Sequence, residues 1–397
     1  MTDPWKEFAE RAARSEAAGY FERSSDRARG SGLAVSFTRA DSVLPLTPTT
    51  DVSELARASD RFLGGGGRRA ILGYAGFDCV GLFEPALHSF PKGAPFPLGE
   101  FAEVRSLDVR PVPPRKLLPP SAANTERPIA DSLPRTAYER SVRRLRRDIR
   151  DGEAYQVVLA HRRAWPRPAD LLERAGRLRA SERYAFFFYL RFGDRELVGA
   201  SPESVIEVEG SHAYVNPIAG TIWPDPKSAG RLPLEVDPKE LSEHRMLVDL
   251  ARNDLGGIAR PGTVRLLWKE RRVRYARLDH LVSRVTAELR PHVGAWQAFG
   301  ASFPAGTVSG APKIRAVEIL RREEDTWRGP YAGAVGLLRP GGRADWALTI
   351  RSAFAARDRL YTAAGAGIVH RSDPGQEFRE TLAKLAHVEA VVTGAPK

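Results

Sequence analysis

The segment Tyr184 to Phe192 is an almost unbroken run of aromatic and aliphatic residues, and the short turn Gly193-Asp194 joins it to a second apolar run, Glu196 to Ala200. Two apolar runs around so short a turn predict a β-hairpin. Similar pairs of runs flank Gly210 and the Pro340-Gly-Gly turn. Because hairpins dominate and helical segments lie between them, the sequence predicts an α+β fold with antiparallel sheets, not a doubly wound parallel sheet.

Two local patterns refine this expectation. The run from Asp345 to Phe354 is interpreted as one strand-like stretch that follows the Pro-Gly-Gly turn. Three glycine-rich segments, residues 217–221, 305–313 and 364–367, are interpreted as loops beside strands. Glycines there let backbone N–H groups approach anionic oxygens closely, although each segment alone also fits an ordinary tight turn.

Proline content divides the chain into three predicted regions. Residues 1–110 mix a helical start with strand-like pieces and form a predicted N-terminal subdomain. Residues 111–135 hold a cluster of prolines, which excludes a helix or a central strand and predicts a linker or a surface crossing. Residues 136–397 mix helices and strands densely and form the third predicted region.

Charge and cysteine content argue against several function classes. The 397 residues include 61 Lys and Arg against 49 Asp and Glu, a net charge of +12, but the arginines are not clustered as in a nucleic-acid binder. The single cysteine, Cys79, allows neither an intrachain disulfide nor a multi-cysteine zinc site. Met1 to Arg14 lacks the apolar core of a secretory signal, and no apolar run approaches the ~20 residues of a membrane span, so a cytoplasmic location is expected.

Two acidic pairs stand out as candidate metal ligands. Glu240 with Glu243, and Glu377 with Glu380, each have a spacing of i, i+3 at the start of a helical segment. Each pair therefore shares one helix face. If the two faces met, their carboxylates could hold Mg²⁺. The alternative is that acidic residues near a helix start interact with the macrodipole and with solvent.

Two further candidates are isolated residues. His280 lies in an amphipathic stretch, where a histidine is either functional or a packed or capping residue. Arg351 follows a strand-like run and could bind a carboxylate through two hydrogen bonds, or equally form a salt bridge.

Six motifs in order over residues 140–390 carry a resemblance to a known family. They are Gly152-Glu-Ala-Tyr-Gln-Val-Val-Leu; Pro217-Ile-Ala-Gly-Thr; Glu240-Leu-Ser-Glu-His-Arg-Met-Leu, running on to Asn253-Asp-Leu; His280-Leu-Val-Ser; Phe303-Pro-Ala-Gly-Thr-Val-Ser-Gly-Ala-Pro-Lys; and Gly365-Ala-Gly-Ile-Val with Glu377-Phe-Arg-Glu-Thr. Together they resemble the chorismate-utilising enzymes. The resemblance implies two largely antiparallel sheets packed together with flanking helices, and a chorismate-binding catalytic domain at residues 136–397.

The same resemblance implies site residues. Mg²⁺ would be held by Glu243 and Glu380, supported by Glu240 and Glu377. The implied substrate contacts are Gly220, Thr221, Thr307, Tyr331, Arg351, Gly365, Gly367 and Lys384. The implied catalytic residues are His280, Gln156, Glu240 and Thr307. A general acid from the acidic cluster would assist loss of the C4 hydroxyl, and His280 would promote loss of pyruvate.

Two positions indicate which reaction is expected. Relatives that add water carry a lysine base where this chain has Gln156, and many aminodeoxychorismate synthases carry a nucleophilic lysine where it has Ala219. Both differences favour the anthranilate synthase component I type, with ammonia as nucleophile. The alternatives are an aminodeoxychorismate or aminodeoxyisochorismate synthase component I and, from another class, a non-catalytic basic binding module.

Partners and regulation follow from the same comparison. Cys79 lacks the sequence context of a glutaminase nucleophile, so the resemblance implies a separate glutamine amidotransferase subunit, with a heterotetramer as one expected assembly and no nucleic-acid or membrane partner. The usual Arg-Pro-Arg-Gly is replaced by Ile222-Trp-Pro-Asp. The Leu-Glu-Ser motif of the tryptophan site has no clear copy, and Ala180-Ser-Glu-Arg-Tyr-Ala replaces its Asn-Pro-Ser-Pro-Tyr segment, so tryptophan feedback is not implied.

Overall fold

The computed structural model describes residues 3–24, 32–113, 117–118, 127–222, 238–275, 278–324 and 326–394. Side chains are described at all of these positions except 219–222, 238–240, 243, 273–275 and 278–280. The helices are α1 (Pro4–Ala12), α2 (Val52–Gly64), α3 (Val80–Phe83), α4 (Arg135–Arg150), α5 (Leu171–Ser181), α6 (Pro238–Gly256), α7 (Ala295–Ser302), α8 (Gly306–Ser309), α9 (Lys313–Glu324) and α10 (Pro374–Val392). No described helix is both long and apolar enough to cross a bilayer.

The strands lie between these helices singly or in runs of up to five. They are β1 (Ala17–Arg23), β2 (Leu33–Phe37), β3 (Ser42–Leu46), β4 (Ala70–Ala75), β5 (Gly99–Val104), β6 (Asp108–Pro111), β7 (Ala130–Asp131), β8 (Gln156–Pro166), β9 (Phe186–Phe192), β10 (Arg195–Ser201), β11 (Ser204–Glu209), β12 (His212–Val215), β13 (Ile218–Ile222), β14 (Arg265–Tyr275), β15 (Leu278–Glu288), β16 (Gly310–Ala311), β17 (Ala334–Arg339), β18 (Arg343–Leu348), β19 (Ser352–Ala356) and β20 (Arg359–Ile368).

Within the described residues the strands form two antiparallel sheets of ten strands each. The first has the order β16-β8-β20-β19-β10-β9-β1-β2-β6, with β7 paired to β8. The second has the order β13-β15-β12-β11-β18-β17-β4-β5-β3, with β14 paired to β15. The predicted α+β fold with antiparallel sheets is confirmed, and so are the hairpins β9–β10 and β11–β12.

Strands from residues 1–110 contribute to both sheets. β1 pairs with β9 in the first sheet, and β4 pairs with β17 in the second. The N-terminal segment therefore supplies sheet strands to the same two layers as the third predicted region. The described part of the proline-rich segment contributes the short edge strand β7, beside β8.

The main core lies between the two sheets, and a second core covers the outer face of the first sheet. Side chains on a strand alternate between faces, and β9 uses both: Phe186 and Phe188 enter the main core, whereas Phe187 packs with Trp5 of α1 and Val388 of α10 in the second core. Full burial of such a side chain stabilises the fold by roughly 1.5–3 kcal/mol. The long apolar run in β9 is thus explained by burial on both faces.

Two interpretations of local sequence were wrong. The run from Asp345 to Phe354 is not one strand, because β18 ends at Leu348 in the second sheet and β19 begins at Ser352 in the first. Arg351 at the crossover has a left-handed φ of 52°, which costs about 1–2 kcal/mol in a residue with a Cβ. Both halves of the segment are buried because each lies in a different sheet.

The glycine segments also differ from the prediction of loops. Residues 364–367 lie inside β20, where Gly365 pairs with Ala160 and Gly367 pairs with Val158 of β8. Residues 218–221 lie inside β13. Only the third segment, residues 305–313, forms a turn-like connection through α8 and β16. Glycine within a strand marks a place where another group approaches the backbone closely.

Candidate functional site

Elements of both sheets meet around α8. Helix α6 packs against β13 and β15 of the second sheet, and α10 packs against β20 of the first. The short helix α8 contacts β8, β20 and α6. Nearly all residues of the predicted site lie on these elements, so motifs far apart in sequence lie around one region of the fold.

The carboxyl of Glu203 lies at this junction, between β10 and β11. It accepts a hydrogen bond of 2.8 Å from the hydroxyl of Thr307 on α8. Burial raises the pKa of Glu203 from 4.5 to about 7, although the Thr307 bond and the charge of Lys384 both act to lower it. Glu203 can therefore hold a proton at neutral pH and release it to a developing anion.

Gln156, the first residue of β8, lies against a glycine of β20. A Cβ added to Gly367 would come within 2.4 Å of Gln156 Nε2, so only glycine leaves room for this amide. A Cβ added to Gly310 would lie 2.2 Å from the carbonyl oxygen of Gln156. Two glycines of the predicted motifs thus accommodate the side chain and the backbone of Gln156.

Tyr331 lies beside Gly365, and the charge of Arg351 acts on Tyr331. The Tyr331 hydroxyl would be 3.2 Å from a Cβ added to Gly365. Burial raises the pKa of Tyr331 to about 12, so the hydroxyl remains a hydrogen-bond donor at neutral pH. Burial lowers the pKa of Arg351, whose Nη1 donates to the carbonyl of Lys384 at 3.2 Å. Arg351 therefore supports α10 directly.

Arg328 connects β8, α8 and α9. It is almost fully buried, pairs with Glu324 of α9, and donates to the carbonyls of Val158 in β8 and Val308 in α8. Glu324 in turn accepts from the backbone N–H of Ala160. This buried ion pair holds β8, α8 and α9 together beneath the predicted substrate contacts.

Helix α10 carries the described acidic pair. Asp373 caps the helix by accepting from the N–H of Gln376, and Pro374 occupies its first turn. Glu377 and Glu380 both act electrostatically on Tyr138, whose pKa is raised first by burial and then by Glu377. These two carboxylates, one helical turn apart, therefore lie near the same ring.

Lys384, one turn further along α10, is already engaged. Its ammonium lies 2.8 Å from Glu380 Oε1 and donates to the Gly365 carbonyl at 2.9 Å. The lysine therefore connects Glu380 of the acidic pair to β20. A substrate carboxylate in this region would meet the lysine charge next to the carboxylates of α10.

The other half of the predicted site is described only by its backbone. Glu240 and Glu243 lie on α6, and His280 lies on β15. Gly220 and Thr221 lie on β13, which pairs with β15 through Ala219 opposite Leu281. The side chains of the glutamates, the threonine and the histidine are outside the described residues.

The described half suits a hard divalent cation in the type of its donors. Glu377 and Glu380 offer carboxylate oxygens, which Mg²⁺ prefers. Among the described residues no group of three or more His, Cys, Asp and Glu side chains forms a metal site. A complete ligand set would therefore need donors from α6, water or a substrate.

A small cavity marks the junction. It measures ≈ 40 Å³, and Glu203, Asn216, Asp254 and Thr307 contribute to its lining. A larger groove of ≈ 540 Å³, lined by residues such as Arg162 and Trp327, contains none of the predicted site residues. Thr307 is the predicted site residue in the lining of the smaller cavity, and α6 contributes Leu250 to the same lining.

A comparison with known protein families identifies the family of this chain. Residues 20–390 match the family described as chorismate binding enzyme. The chain belongs to the chorismate binding enzymes. The resemblance inferred from the six motifs is therefore confirmed, and the match extends it into the N-terminal strands.

Curated chorismate binding enzymes of two named activities match equally well. Anthranilate synthase component 1 of Streptomyces coelicolor is 41% identical over 287 residues, which cover 67% of this chain and 56% of that protein. The 2-amino-4-deoxychorismate synthase of Streptomyces globisporus is 41% identical over 281 residues, which cover 69% of this chain and 55% of that protein. The matched region spans about half the length of these relatives.

Solved structures of this family confirm the fold. Anthranilate synthase component I from Streptococcus pneumoniae superposes with a TM-score of 0.73 at 27% identity, covering 93% of this chain and 89% of that chain. The menaquinone-specific isochorismate synthase of Escherichia coli superposes with a TM-score of 0.76 at 20% identity, covering 98% of this chain and 91% of that one. The second likeness concerns the fold alone.

Sequence reasoning missed one functional candidate of this chorismate binding enzyme, Glu203. The family resemblance instead implies a general acid from the acidic cluster on α6 and α10. A usable signal was present, because Ser201-Pro-Glu-Ser interrupts two strongly apolar strand runs with a single carboxyl. A charged group between buried strands is costly unless it is protonated or bonded, and Glu203 satisfies both conditions.

Proposed function

We propose that the protein is the large, aminating subunit of an anthranilate synthase. In this reaction chorismate and ammonia give anthranilate, pyruvate and water, and the enzyme is a lyase of tryptophan biosynthesis. The family supports chorismate as substrate. The observation that carries the choice of reaction is Gln156, whose neutral amide lies at Gly367 where related water-adding enzymes have a lysine base.

A neutral amide cannot remove a proton from water at this point of the site. Ammonia needs no such base, because its lone pair is already available as a nucleophile at C2 of the ring. Gln156 can instead accept from or donate to the bound nucleophile. Ala219 supports the same reading, because the lysine found there in many aminodeoxychorismate synthases is absent.

Glu203 is the proposed general acid for departure of the C4 hydroxyl. Its pKa of about 7 leaves a large fraction protonated at neutral pH, as a general acid requires. Thr307 orients the carboxyl by its 2.8 Å hydrogen bond. The acid thus delivers its proton to the leaving oxygen, which departs as water.

We propose that β20 and the groups around it bind chorismate. Backbone amides near Gly365 and Gly367, with those of Gly220 and Thr221 in β13, would hold carboxylate oxygens of chorismate. The protonated hydroxyl of Tyr331, together with Arg351, would hold the enolpyruvyl carboxylate. Lys384 adds a positive charge beside this strand.

Mg²⁺ is the proposed cofactor, and it would neutralise the ring carboxylate of chorismate. Glu380 and Glu243 would hold it, with Glu377 and Glu240 supporting directly or through water. The carboxylate donors of α10 fit such an ion in chemical type. His280 on β15 is the proposed base for the second stage, in which a ring proton and pyruvate leave to form the aromatic product.

The ammonia is proposed to come from a glutamine amidotransferase subunit in a hetero-oligomer. Cys79 is fully buried, and burial raises its pKa well above the usual range, so it cannot act as a glutaminase nucleophile.

A 2-amino-4-deoxychorismate synthase is the second candidate, because that relative and the anthranilate synthase relative share the same 41% identity. The two reactions differ in whether pyruvate is released. Product analysis therefore separates them directly.

The deciding experiment incubates the purified chain with chorismate, MgCl₂ and ammonium chloride, and quantifies anthranilate by fluorescence and pyruvate by a coupled assay. We expect both products in a 1:1 ratio, together with loss of both in Glu380→Gln. An aminated product that retains the enolpyruvyl group would replace this proposal with the second candidate. Isochorismate as product would exclude both.

His280→Met separates the two stages of the reaction. If His280 acts only in pyruvate loss, this variant should still aminate chorismate, and the aminated intermediate should accumulate on liquid chromatography. Equal loss of both stages would contradict the assigned role. Salt-sensitive nucleic-acid binding with no turnover of chorismate would indicate the binding-module alternative.

A further inference from the structure

We propose that His161 is a positioning residue that sets the rotation of α10 about its axis, and thereby the position of Glu377 and Glu380. This inference rests on the proposed metal role of those two carboxylates. His161 lies in β8, on the sheet face beneath α10. It contacts neither chorismate nor metal in this assignment and acts through Thr381.

A chain of hydrogen bonds connects β7 to α10 through this histidine. His161 Nδ1 lies 2.9 Å from Asp131 Oδ1, and His161 Nε2 lies 2.9 Å from the hydroxyl oxygen of Thr381. Both His161 and Thr381 are almost completely buried, at 1% and 0% exposure. Thr381 directly follows Glu380, so the bond is made at the residue next to the proposed ligand.

The direction of the first bond follows from the chemistry of the groups. Asp131 Oδ1 also accepts from the backbone N–H of Leu133 at 3.1 Å, and a carboxylate oxygen acts as an acceptor in such bonds. His161 Nδ1 must therefore carry a proton and donate to it. This bond fixes the ring plane, so Nε2 is aimed at Thr381.

Aromatic contacts hold the same turn of α10 from the side. The His161 ring lies 5.3 Å from the ring of Phe378, and the Tyr138 ring lies 5.5 Å from it. Phe378 and Thr381 are one turn apart. Each directly follows one residue of the acidic pair, Glu377 or Glu380. The buried side of this turn is therefore shaped around His161, while the acidic pair occupies the adjacent face.

The geometry of a helix converts a small rotation into a displacement that matters. Side-chain ends lie about 5–6 Å from a helix axis. A rotation of about 10° therefore moves a carboxylate oxygen by about 1 Å. A misplacement of this size can cost on the order of 10²-fold in rate, and an octahedral Mg²⁺ site tolerates little departure from its ~2.1 Å ligand distances.

Two further sets of bonds hold α10 beyond the acidic pair. Lys384 bonds to Gly365, and Glu389 bonds to Arg163 and Thr362. These contacts fix the middle and the C-terminal part of the helix. The His161–Thr381 bond acts on the turn that contains the acidic pair, so its loss should affect metal binding more than overall stability.

Substitution of His161 by asparagine or by glutamine separates the two hydrogen bonds of its ring. An asparagine amide nitrogen can replace Nδ1, which keeps the Asp131 bond and loses Thr381. A glutamine amide reaches the Nε2 position, which keeps Thr381 and loses Asp131. The test measures Mn²⁺ affinity of the full chain by electron paramagnetic resonance of free Mn²⁺, with melting temperature recorded in parallel.

We expect His161→Asn and Thr381→Val to weaken Mn²⁺ binding at least tenfold, whereas His161→Gln and Thr381→Ser stay within about threefold of the unmodified protein. Thr393→Val, the same change near the C-terminal end of α10, is the matched control and should leave the affinity unchanged. If His161→Asn or Thr381→Val does not fold, His161→Gln and Thr381→Ser still test the inference, because a tenfold loss of Mn²⁺ affinity in either variant would contradict it.

Equal Mn²⁺ affinity in His161→Asn, His161→Gln and the unmodified protein would overturn the inference and leave a purely structural role. Equal losses in His161→Asn and His161→Gln would also overturn it, because the effect would not pass through Thr381. Failure of the unmodified protein to bind Mn²⁺ would instead overturn the metal assignment on which the inference rests. These results are distinguishable in one titration series.

Discussion

The hydroxyl of Thr307 donates to the carboxyl of Glu203 across 2.8 Å, and this bond joins α8 to the connection between β10 and β11. It brings together residues 104 positions apart in the chain. Because Thr307 stabilises the charged form of a buried acid that is close to neutrality, the pair sets the pH range in which Glu203 can give up a proton.

Glu203→Gln tests the role of general acid. The substitution keeps the shape of the side chain and its capacity to accept from Thr307, but it removes the transferable proton. We expect kcat for chorismate amination to fall about 10²–10⁴-fold, with a smaller change in KM. Steady-state kinetics with ammonium as nitrogen donor measures both. A kcat within threefold of the unmodified enzyme would rule out the role.

Thr307→Val tests the coupling itself. Loss of the hydroxyl removes a hydrogen bond that lowers the pKa of Glu203, so that pKa should rise. The alkaline limb of the pH profile of kcat/KM should therefore move to higher pH, whereas Thr307→Ser should leave it in place. An unchanged or downward-shifted limb in the valine variant would show that Glu203 does not control this limb.

Stability should depend on pH through the same carboxyl. The pKa of Glu203 in the folded protein, about 7, exceeds the ordinary value of 4.5. The contribution of the neutral carboxyl to the free energy of unfolding is therefore fully present below pH ~4.5 and is lost as pH rises through about 7. At pH 8 the cost of ionising Glu203 is about 3 kcal/mol. Glu203→Gln should therefore be more stable than the unmodified protein at pH 8 but not at pH 5, as measured by urea denaturation.

Gly367→Ala tests the placement of Gln156. The new Cβ would come within 2.4 Å of Gln156 Nε2 and 3.2 Å of its Cδ, so the amide must move. We expect kcat/KM to fall at least tenfold with little loss of stability, because the displaced atoms are the end of a flexible side chain. The double variant Gly367→Ala with Gln156→Ala should show non-additive losses. Additive losses would mean that the two positions act independently.

Arg328→Met tests the buried ion pair beneath the site. The change leaves Glu324 buried without its partner, and breaking one side of such a pair costs about 3–5 kcal/mol. Adding Glu324→Gln should recover part of this loss, because the amide oxygen can still accept from Ala160. Urea unfolding of the single and double variants measures the difference. A loss below about 1 kcal/mol in the single variant would contradict the importance of the pair.

The sequence alone determined the class of fold and the principal motifs. Hairpin turns such as Gly193-Asp194 are local signals, since the turn residues and the adjacent apolar runs act over a few residues. The i, i+3 spacing of Glu377 and Glu380 likewise required only a helix, and α10 supplies it. Gln156 and Ala219 could be assigned by their places in motifs, without knowledge of their surroundings.

Only the tertiary structure decided the properties that depend on distant segments. The pKa of Glu203 follows from burial by both sheets, and its bonding partner comes from α8. The Asp345 to Phe354 run fits one strand or two strands equally well in its local sequence, so the sequence could not show that the chain changes sheets at Arg351. His161 reads as one more residue of an apolar strand until Asp131 and Thr381 are seen on either side of its ring. In each case the deciding contact joins residues that are remote in sequence, and packing, not local propensity, brings them together.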